Sequence, residues 1–325
     1  MKAKAWLMTA VAALALTSVS WAKPLKIGYS DYPSWTAWQI AKEKGYFQKH
    51  GVEVELVWFP IYTDSLNALN TGQIDANCQT WSDTVAPLAE GVKLTAILVN
   101  DYSWGNDGLL AKPGVTSVKD LKGKTVATEL GTCDHFLLLK ALEKNGMTEK
   151  DIKYKNMTVP DAAAAFLSGK VDAAVVWQPW LSQTQREGKG KMIFSSADIP
   201  YLIPDLLVVQ SKVLSDRSAE WQKVVDAWFD VYKFIKTNED EAVAIISKVV
   251  EQKPSDYKVF MPGCKFADQK LNVAAFEKTD KDSSLYGSGK TIADFLKATG
   301  QLKTAPDFGP ALDATYVKAA AAAQK

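Results

Sequence analysis

A chain that carries one pattern twice is constrained to fold as two copies of one unit. Asp64, Gly72 and Asp75 recur as Asp161, Gly169 and Asp172, each 97 residues later. In both copies the second aspartate opens a β-prone run that reaches a tryptophan, Trp81 in the first and Trp177 in the second. Upstream, Ile27-Gly28-Tyr29 is matched by Val126-Ala127-Thr128, and each is followed by a helix-like stretch ending at a glycine, Gly45 or Gly146. Each half therefore reads strand, loop, helix, strand, helix, strand.

Leu25 to Tyr29, Glu53 to Phe59 and Ile74 to Cys78 are predicted strands of the first copy; Thr125 to Thr128, Ile152 to Asn156 and Ala173 to Trp177 are those of the second. Trp35 to Phe47 and Asp64 to Asn70 read as helices, with Asp64 and Asp161 suited to N-caps. Gly72 and Gly169 suit left-handed helix stops. Strands and helices alternating at this length predict right-handed crossovers and largely parallel sheets. Two crossings join the halves, near 104–108 and 199–205. After the second, Leu206 to Gln210 reads as a further strand and Ser218 to Thr237 as a long amphipathic helix. Residues 240–325 are mostly helical by pattern and return to the first unit. The expected organisation is an α/β chain in two lobes with a hinge: 23–106 plus 206–325 as a discontinuous first lobe, 107–205 as the second.

The first 22 residues form an address. Lys2 and Lys4 precede an apolar stretch from Ala5 to Leu16, and Ala22 closes a small-residue cleavage site. This is a secretory signal, too short to be a membrane span of roughly 20 residues. Lys plus Arg number 38 and Asp plus Glu 37, so no polyanion-binding surface is expected and nucleic acid is excluded as a main partner. The three cysteines, Cys78, Cys133 and Cys264, allow one disulfide or three buried thiols, the second being preferred. No zinc ligand set is visible, and no catalytic elbow, zinc helix or phosphate loop. No enzyme, metal or cofactor is expected.

Ligands of open α/β sheets sit beyond the carboxyl ends of the strands. Those loops hold five tryptophans, Trp35, Trp81, Trp104, Trp177 and Trp180, and four acids, Asp31, Asp83, Glu129 and Asp134. Trp38, Trp58, Trp221 and Trp228 read as core. The two arginines, Arg186 and Arg217, lie outside the loops. Indole faces attract cations and carboxylates add charge-assisted hydrogen bonds, whereas an anion site would call for Arg forks and bare helix N-termini. The nine loop residues are the candidate ligand cage, with a small cation, or a zwitterion whose cationic end is buried, as guest.

Ala41 to Glu55, Asp64 to Asp75, Val118 to Ala127, Asp161 to Asp172 and Trp177-Gln178-Pro179-Trp180 carry a family resemblance. The sequence is similar to the periplasmic substrate-binding proteins of the nitrate/sulfonate/taurine class of ABC importers. Within them it resembles the branch associated with urea-carboxylase gene regions, for which guanidine uptake is the expected role. The resemblance implies the two-lobed periplasmic-binding-protein fold of type II. It also implies a monomer in the periplasm, closure on a small solute, and delivery to an ABC permease and its ATPase, with no membrane insertion after signal cleavage. The alternatives it leaves are taurine, alkanesulfonate or nitrate, and a relative of the proteins that make or bind a thiamine pyrimidine precursor. Glu129 and Asp134 stand where anion binders of this class carry small hydroxyl residues or glycine.

Overall fold

The computed structural model describes residues 23–188 and 190–323, so the signal segment lies outside the described residues. Among the described residues eleven strands run in chain order: β1 Leu25–Tyr29, β2 Val54–Trp58, β3 Ala76–Thr80, β4 Leu94–Ser103, β5 Asp107–Ala111, β6 Thr125–Thr128, β7 Lys153–Asn156, β8 Ala173–Trp177, β9 Lys191–Ser195, β10 Pro204–Gln210 and β11 Cys264–Phe266. They form two mixed sheets, ordered β11-β4-β10-β3-β1-β2 and β7-β6-β8-β5-β9. Helices flank both.

The duplication is visible in the strand order. β3-β1-β2 and β8-β6-β7 are the same parallel arrangement, made once by each copy. The strand added beside each is antiparallel and comes from across a crossing. β10, which follows the second copy, lies against β3, and β5, which follows the first-lobe strand β4, lies against β8. The repeated second aspartate does one job twice. Asp75 accepts a hydrogen bond from the Lys26 backbone N–H at 2.8 Å and donates its own N–H to the Lys26 carbonyl. Asp172 does the same with Thr125, also at 2.8 Å. Each thus pins the third strand of its unit to the first.

The first aspartate behaves differently from the expectation. Asp64 sits in the first turn of helix Tyr62–Asn70, whose N-cap is Ile61. Asp161 lies within helix Val159–Leu167, where Thr158 is the cap and accepts from the Asp161 N–H. Neither aspartate is the N-cap expected of it; as a carboxylate in a first turn each still gains from the helix dipole. Gly72 and Gly169 do stop their helices, at φ +73° and +82°. The predicted helix from Trp35 to Phe47 is three short ones, Pro33–Thr36, Trp38–Glu43 and Tyr46–His50, interrupted at Gly45 with φ +69°.

The crossings are tied together. The Ser103 hydroxyl donates to Asp107 and lies 2.7 Å from the hydroxyl of Ser196, and the Trp104 N–H donates to the Gly263 carbonyl at 2.8 Å. Helix Ser218–Thr237 packs on Trp38–Glu43 and Tyr46–His50, with Trp221 and Trp228 fully buried and Trp228 tilted over Trp38 at 4.6 Å. Helix Leu285–Ala298 packs on Trp81–Ala89, and β11 pairs with β4, so the C-terminal part closes over the first sheet. Trp58, expected in the core, is 37% exposed on edge strand β2. Cys78, Cys133 and Cys264 are all buried free thiols.

Gly28 in β1 is enclosed: a Cβ there would stand 2.5 Å from Ile74 Cδ1 and 2.7 Å from Asn77 Oδ1. Overpacking of this kind costs about 1–3 kcal/mol. Gly28→Ala should lower the urea unfolding midpoint accordingly while the denaturant slope stays that of the parent.

Candidate functional site

The two lobes meet on polar side chains. Asp31, in the loop after β1, accepts a hydrogen bond from the indole N–H of Trp177 at 2.8 Å and a second from that of Trp180. Trp177 ends β8 and Trp180 opens the helix Trp180–Gly188, so a first-lobe carboxylate is held by two second-lobe donors. The Tyr62 ring sits between Trp177, edge-on at 5.5 Å, and Trp35, tilted at 4.8 Å. Nearer the mouth, Thr63 donates to Glu129 at 2.8 Å, and the Val159 N–H holds the other oxygen of Glu129 at 3.2 Å.

Behind these contacts lies a group of buried acids. Asp83 accepts from the Tyr62 hydroxyl at 2.9 Å and from Ser82 at 2.7 Å. Asp101 on β4 and Asp205 on β10 stand directly opposite each other in the strand register. Asp107, the first residue of β5, accepts from Ser103 and from the Cys133 thiol. Asp134 follows Cys133 at the start of helix Cys133–Lys144. One atom each of Asp107, Cys133 and Asp134 lies within 4.8 Å of the others. At an effective dielectric of about 20, two like charges about 5 Å apart repel by about 3 kcal/mol.

The electrostatics follow from burial without compensation. Desolvation is the main cause at every one of these acids. It pushes Asp31 and Asp83 up to about 6, against the indole and hydroxyl donors that oppose it. Asp107 also rises to about 6 and Asp101 to about 7, again through burial first. Asp134 and Asp205 go well above the carboxylate range, burial being reinforced by Asp107 for the first and Asp101 for the second. Among the described residues, both oxygens of Asp134, both of Asp101 and one of Asp205 lack a well-formed hydrogen-bond donor, and the hydroxyls of Ser30, Tyr32, Ser34 and Thr128 and the indole N–H of Trp35 lack an acceptor; the neighbours that Asp134 and Asp101 do reach include other acids, Asp107 and Asp205. Buried polar atoms are almost always satisfied in a finished interior. The indole N–H groups of Trp38, Trp221 and Trp228 in the core are unpartnered too, and the carboxyls and hydroxyls named here make up the candidate site.

Asp107, Cys133 and Asp134 could by type hold a divalent metal. A thiol must ionise to do so, and burial together with Asp83, Asp107 and Asp134 drives Cys133 well above its ordinary value. A groove of about 480 Å³ is lined by Thr63, Ser82, Asp83 and Leu130–Thr132, and of the buried acids Asp83 is the one that reaches it. The larger groove, about 610 Å³, lies on the outer flank of helix Cys133–Lys144 against Phe295 and carries none of the buried group.

Of the nine sequence candidates, Asp31, Trp35, Asp83, Glu129, Asp134, Trp177 and Trp180 come together at the lobe interface. Trp81 does not. Its indole donates to the Leu285 carbonyl at 2.9 Å and packs on Phe308, so it joins helix Leu285–Ala298 to the first lobe. Trp104 does not either: it is 37% exposed beside the crossing, with the Lys265 ammonium 4.3 Å from its ring. Asp101, Asp205, Tyr62 and Cys133 were not anticipated. The available signal was an acid inside an otherwise apolar strand run, at Leu94–Ser103 and Pro204–Gln210.

Comparison with known proteins gives a consistent background. The family described as NMT1/THI5 like matches residues 33–242. A putative binding protein of Brucella abortus is 26% identical over 314 residues, covering 94% of this chain and 96% of that protein. A putative aliphatic sulfonates-binding protein of Escherichia coli is 26% identical over 247 residues, covering 75% and 76%. Among solved structures, the alkanesulfonate-binding protein of Xanthomonas axonopodis pv. citri bound to MOPS superposes with TM-score 0.77 at 21% identity, over 90% of this chain and 98% of that one. At that identity the likeness is one of fold, and the fold is that of two-lobed periplasmic binding proteins.

An acid whose native pKa is raised binds more protons folded than unfolded. Its contribution to stability is fully present below the unfolded value, about 4, and is lost as pH rises through the folded one. For Asp31, Asp83, Asp101 and Asp107 that window ends at about 6 to 7. The surface acids with lowered values, such as Asp120 and Asp151, act below it. The solute-free protein should therefore melt at a higher temperature at pH about 5 than at pH about 7.5, and Asp101→Asn should flatten the difference.

Proposed function

We propose that this chain, which belongs to the NMT1/THI5-like family, is an extracytoplasmic solute-binding protein that captures a small nitrogenous cation of the guanidinium type for an ABC importer. The carrying observation is the group of buried carboxyls with no cation among them. None of Asp31, Asp83, Asp101, Asp107, Glu129, Asp134 and Asp205 enters an ion pair among the described residues. A buried, uncompensated acid is costly, and a cationic guest removes that cost. An anion would raise it.

Guanidinium fits the chemistry in detail. It is planar, it presents N–H donors around its whole edge, and its faces suit aromatic rings. The unpartnered oxygens of Asp134 and Asp101 can accept its edge, and the Tyr62 ring, bonded to Asp83 and packed on Trp35, offers an aromatic face. In this reading Asp134, Asp101 and Asp83 hold the solute. Asp31 and Glu129, already engaged across the interface, hold the lobes closed with Trp177, Trp180 and Thr63.

The relatives favour a different solute. Two of the three proteins named above are described as binding sulfonates, the Escherichia coli one as a putative binder and the Xanthomonas one with MOPS bound, and the likeness supports an alkanesulfonate or taurine more directly than it supports guanidinium. Taurine meets half of the requirement, since its ammonium could use the acids, but its sulfonate would bring a further negative charge to them. A thiol-dependent enzyme reading is disfavoured by the cysteines: burial first, then neighbouring acids, raise Cys133 and Cys264 well above the ordinary thiol value.

Isothermal titration decides between the solutes. Guanidinium chloride should bind at one saturable site, and taurine and an alkanesulfonate should bind more weakly. Asp134→Asn should weaken guanidinium at least about tenfold, equivalent to ~1.4 kcal/mol, with an unchanged far-ultraviolet spectrum. Taurine binding more tightly than guanidinium would reject the cation.

A further inference from the structure

The count of acids exceeds what one small cation can neutralise. Seven carboxyls line or flank the closed interface, four on the side of the six-stranded sheet (Asp31, Asp83, Asp101, and Asp205, which β10 carries there although the expected lobe boundary fell just after it) and three on the side of the five-stranded sheet (Asp107, Glu129, Asp134). Asp31 and Glu129 are held by donors from the opposite lobe, and Asp83 has two hydroxyl donors. The remaining four are arranged as two pairs. Asp101 faces Asp205 across the β4–β10 register, and Asp107 lies with Asp134 within 4.8 Å. Asp101, Asp134 and Asp205 are at most 1% exposed, yet five of their six carboxyl oxygens lack a well-formed hydrogen-bond donor among the described residues. Carboxyls this close and this dry cannot both ionise; one proton shared within each pair is the low-energy arrangement.

We propose, building on the cation reading above, that the cleft takes up its solute in exchange for protons. Each pair, Asp107 with Asp134 and Asp101 with Asp205, holds a proton while no cation is present, and a proton leaves to solvent as the cation enters. The charge balance is simple. An acid in a pair loses H⁺ from its O–H, its carboxylate is left to the incoming N–H donors, and the net charge of the cleft is unchanged for each proton exchanged.

Among the described residues, the surroundings give the pairs no other source of positive charge. The first pair is faced by Cys133, Glu129 and Asp83, with the Ser103 hydroxyl on Asp107. The second is faced by Cys264 on β11, by Tyr32 and Ser34 at the helix after β1, and by Cys78 on β3. Asp107 acts on both Asp101 and Asp205, so the pairs form one connected system. No lysine, arginine or histidine is among the groups that act most strongly on any of the four. His135, next in sequence to Asp134, turns outward to Glu149 at 2.8 Å. A tightly held proton is the positive charge that this chain can supply for itself.

The test is calorimetry with guanidinium chloride in phosphate and in Tris at equal pH, repeated across the range from about 5.5 to 7.5. Release of one proton makes affinity rise by up to about tenfold per pH unit, and makes the measured heat differ between buffers in proportion to their ionisation enthalpies. The expected result is a buffer-dependent heat, corresponding to about half to one proton released at neutral pH, and a dissociation constant that falls as pH rises. Equal heats in both buffers with a flat pH profile would overturn the exchange while leaving guanidinium as the solute. An absence of guanidinium heat, with taurine binding, would instead remove the cation reading. The pairs are then judged by infrared spectroscopy of the solute-free protein at neutral pH. A protonated-carboxyl C=O band, diminished in Asp134→Asn and in Asp205→Asn, upholds them, and its absence from the unsubstituted protein overturns them.

Discussion

Burying acids where no base can reach them is the constraint on which the rest of this structure depends. A carboxylate removed from water loses several kcal/mol of solvation, and close neighbours of the same sign add to the loss. The interface between the two lobes concentrates seven such groups. Everything about that interface reads as a means of living with them: hydroxyls on Asp83, indoles on Asp31, a threonine and a backbone amide on Glu129. Where donors run out, at Asp101, Asp134 and Asp205, the acids are driven toward the protonated form. In the proposed reading, a positive guest would offset part of that cost.

The duplicated unit explains why the acids meet at all. Each copy builds three parallel strands in the same order, so each presents its strand-end loops in the same direction relative to its own sheet. Each then takes its antiparallel neighbour from across a crossing. β5 begins at Asp107 and β10 contains Asp205, so two of the four paired acids lie at the crossings themselves. The crossings and the candidate site are therefore built from the same residues. Ser103 shows this directly: its hydroxyl serves Asp107 in the site and Ser196 in the other crossing.

The sequence makes the fold legible because the repeat is a backbone device. Asp75 and Asp172 bond the first residues of their own units, and Gly72 and Gly169 need left-handed φ, so the same residue types had to recur at one spacing. The site is less legible, for a physical reason. Asp31, Asp83 and Asp134 lie in loops or first turns, where an acid among tryptophans draws notice. Asp101 and Asp205 sit inside strands, where an apolar run makes an isolated acid look like a sheet-edge residue. Only the register that sets them face to face reveals a pair. Trp81 and Trp104 fail in the opposite way. Both occur beside the right loops, but Trp81 finds a carbonyl on helix Leu285–Ala298 and Trp104 finds Lys265, and neither partner is predictable from local sequence.

Closure and charge are coupled through Asp31. Its carboxylate must be ionised to accept both indole N–H groups well, yet burial raises it to about 6 and Glu129 adds a like charge. The indole donors lower it in return. Closing the lobes thus brings the donors that favour ionised Asp31 and, in the same movement, dries the acids behind it. The first effect favours the closed form and the second opposes it. A cation entering between them shifts the second term alone, because Asp31 already has its donors. A solute with no positive charge would leave the opposing term in place, so the latch would select for charge without touching the solute.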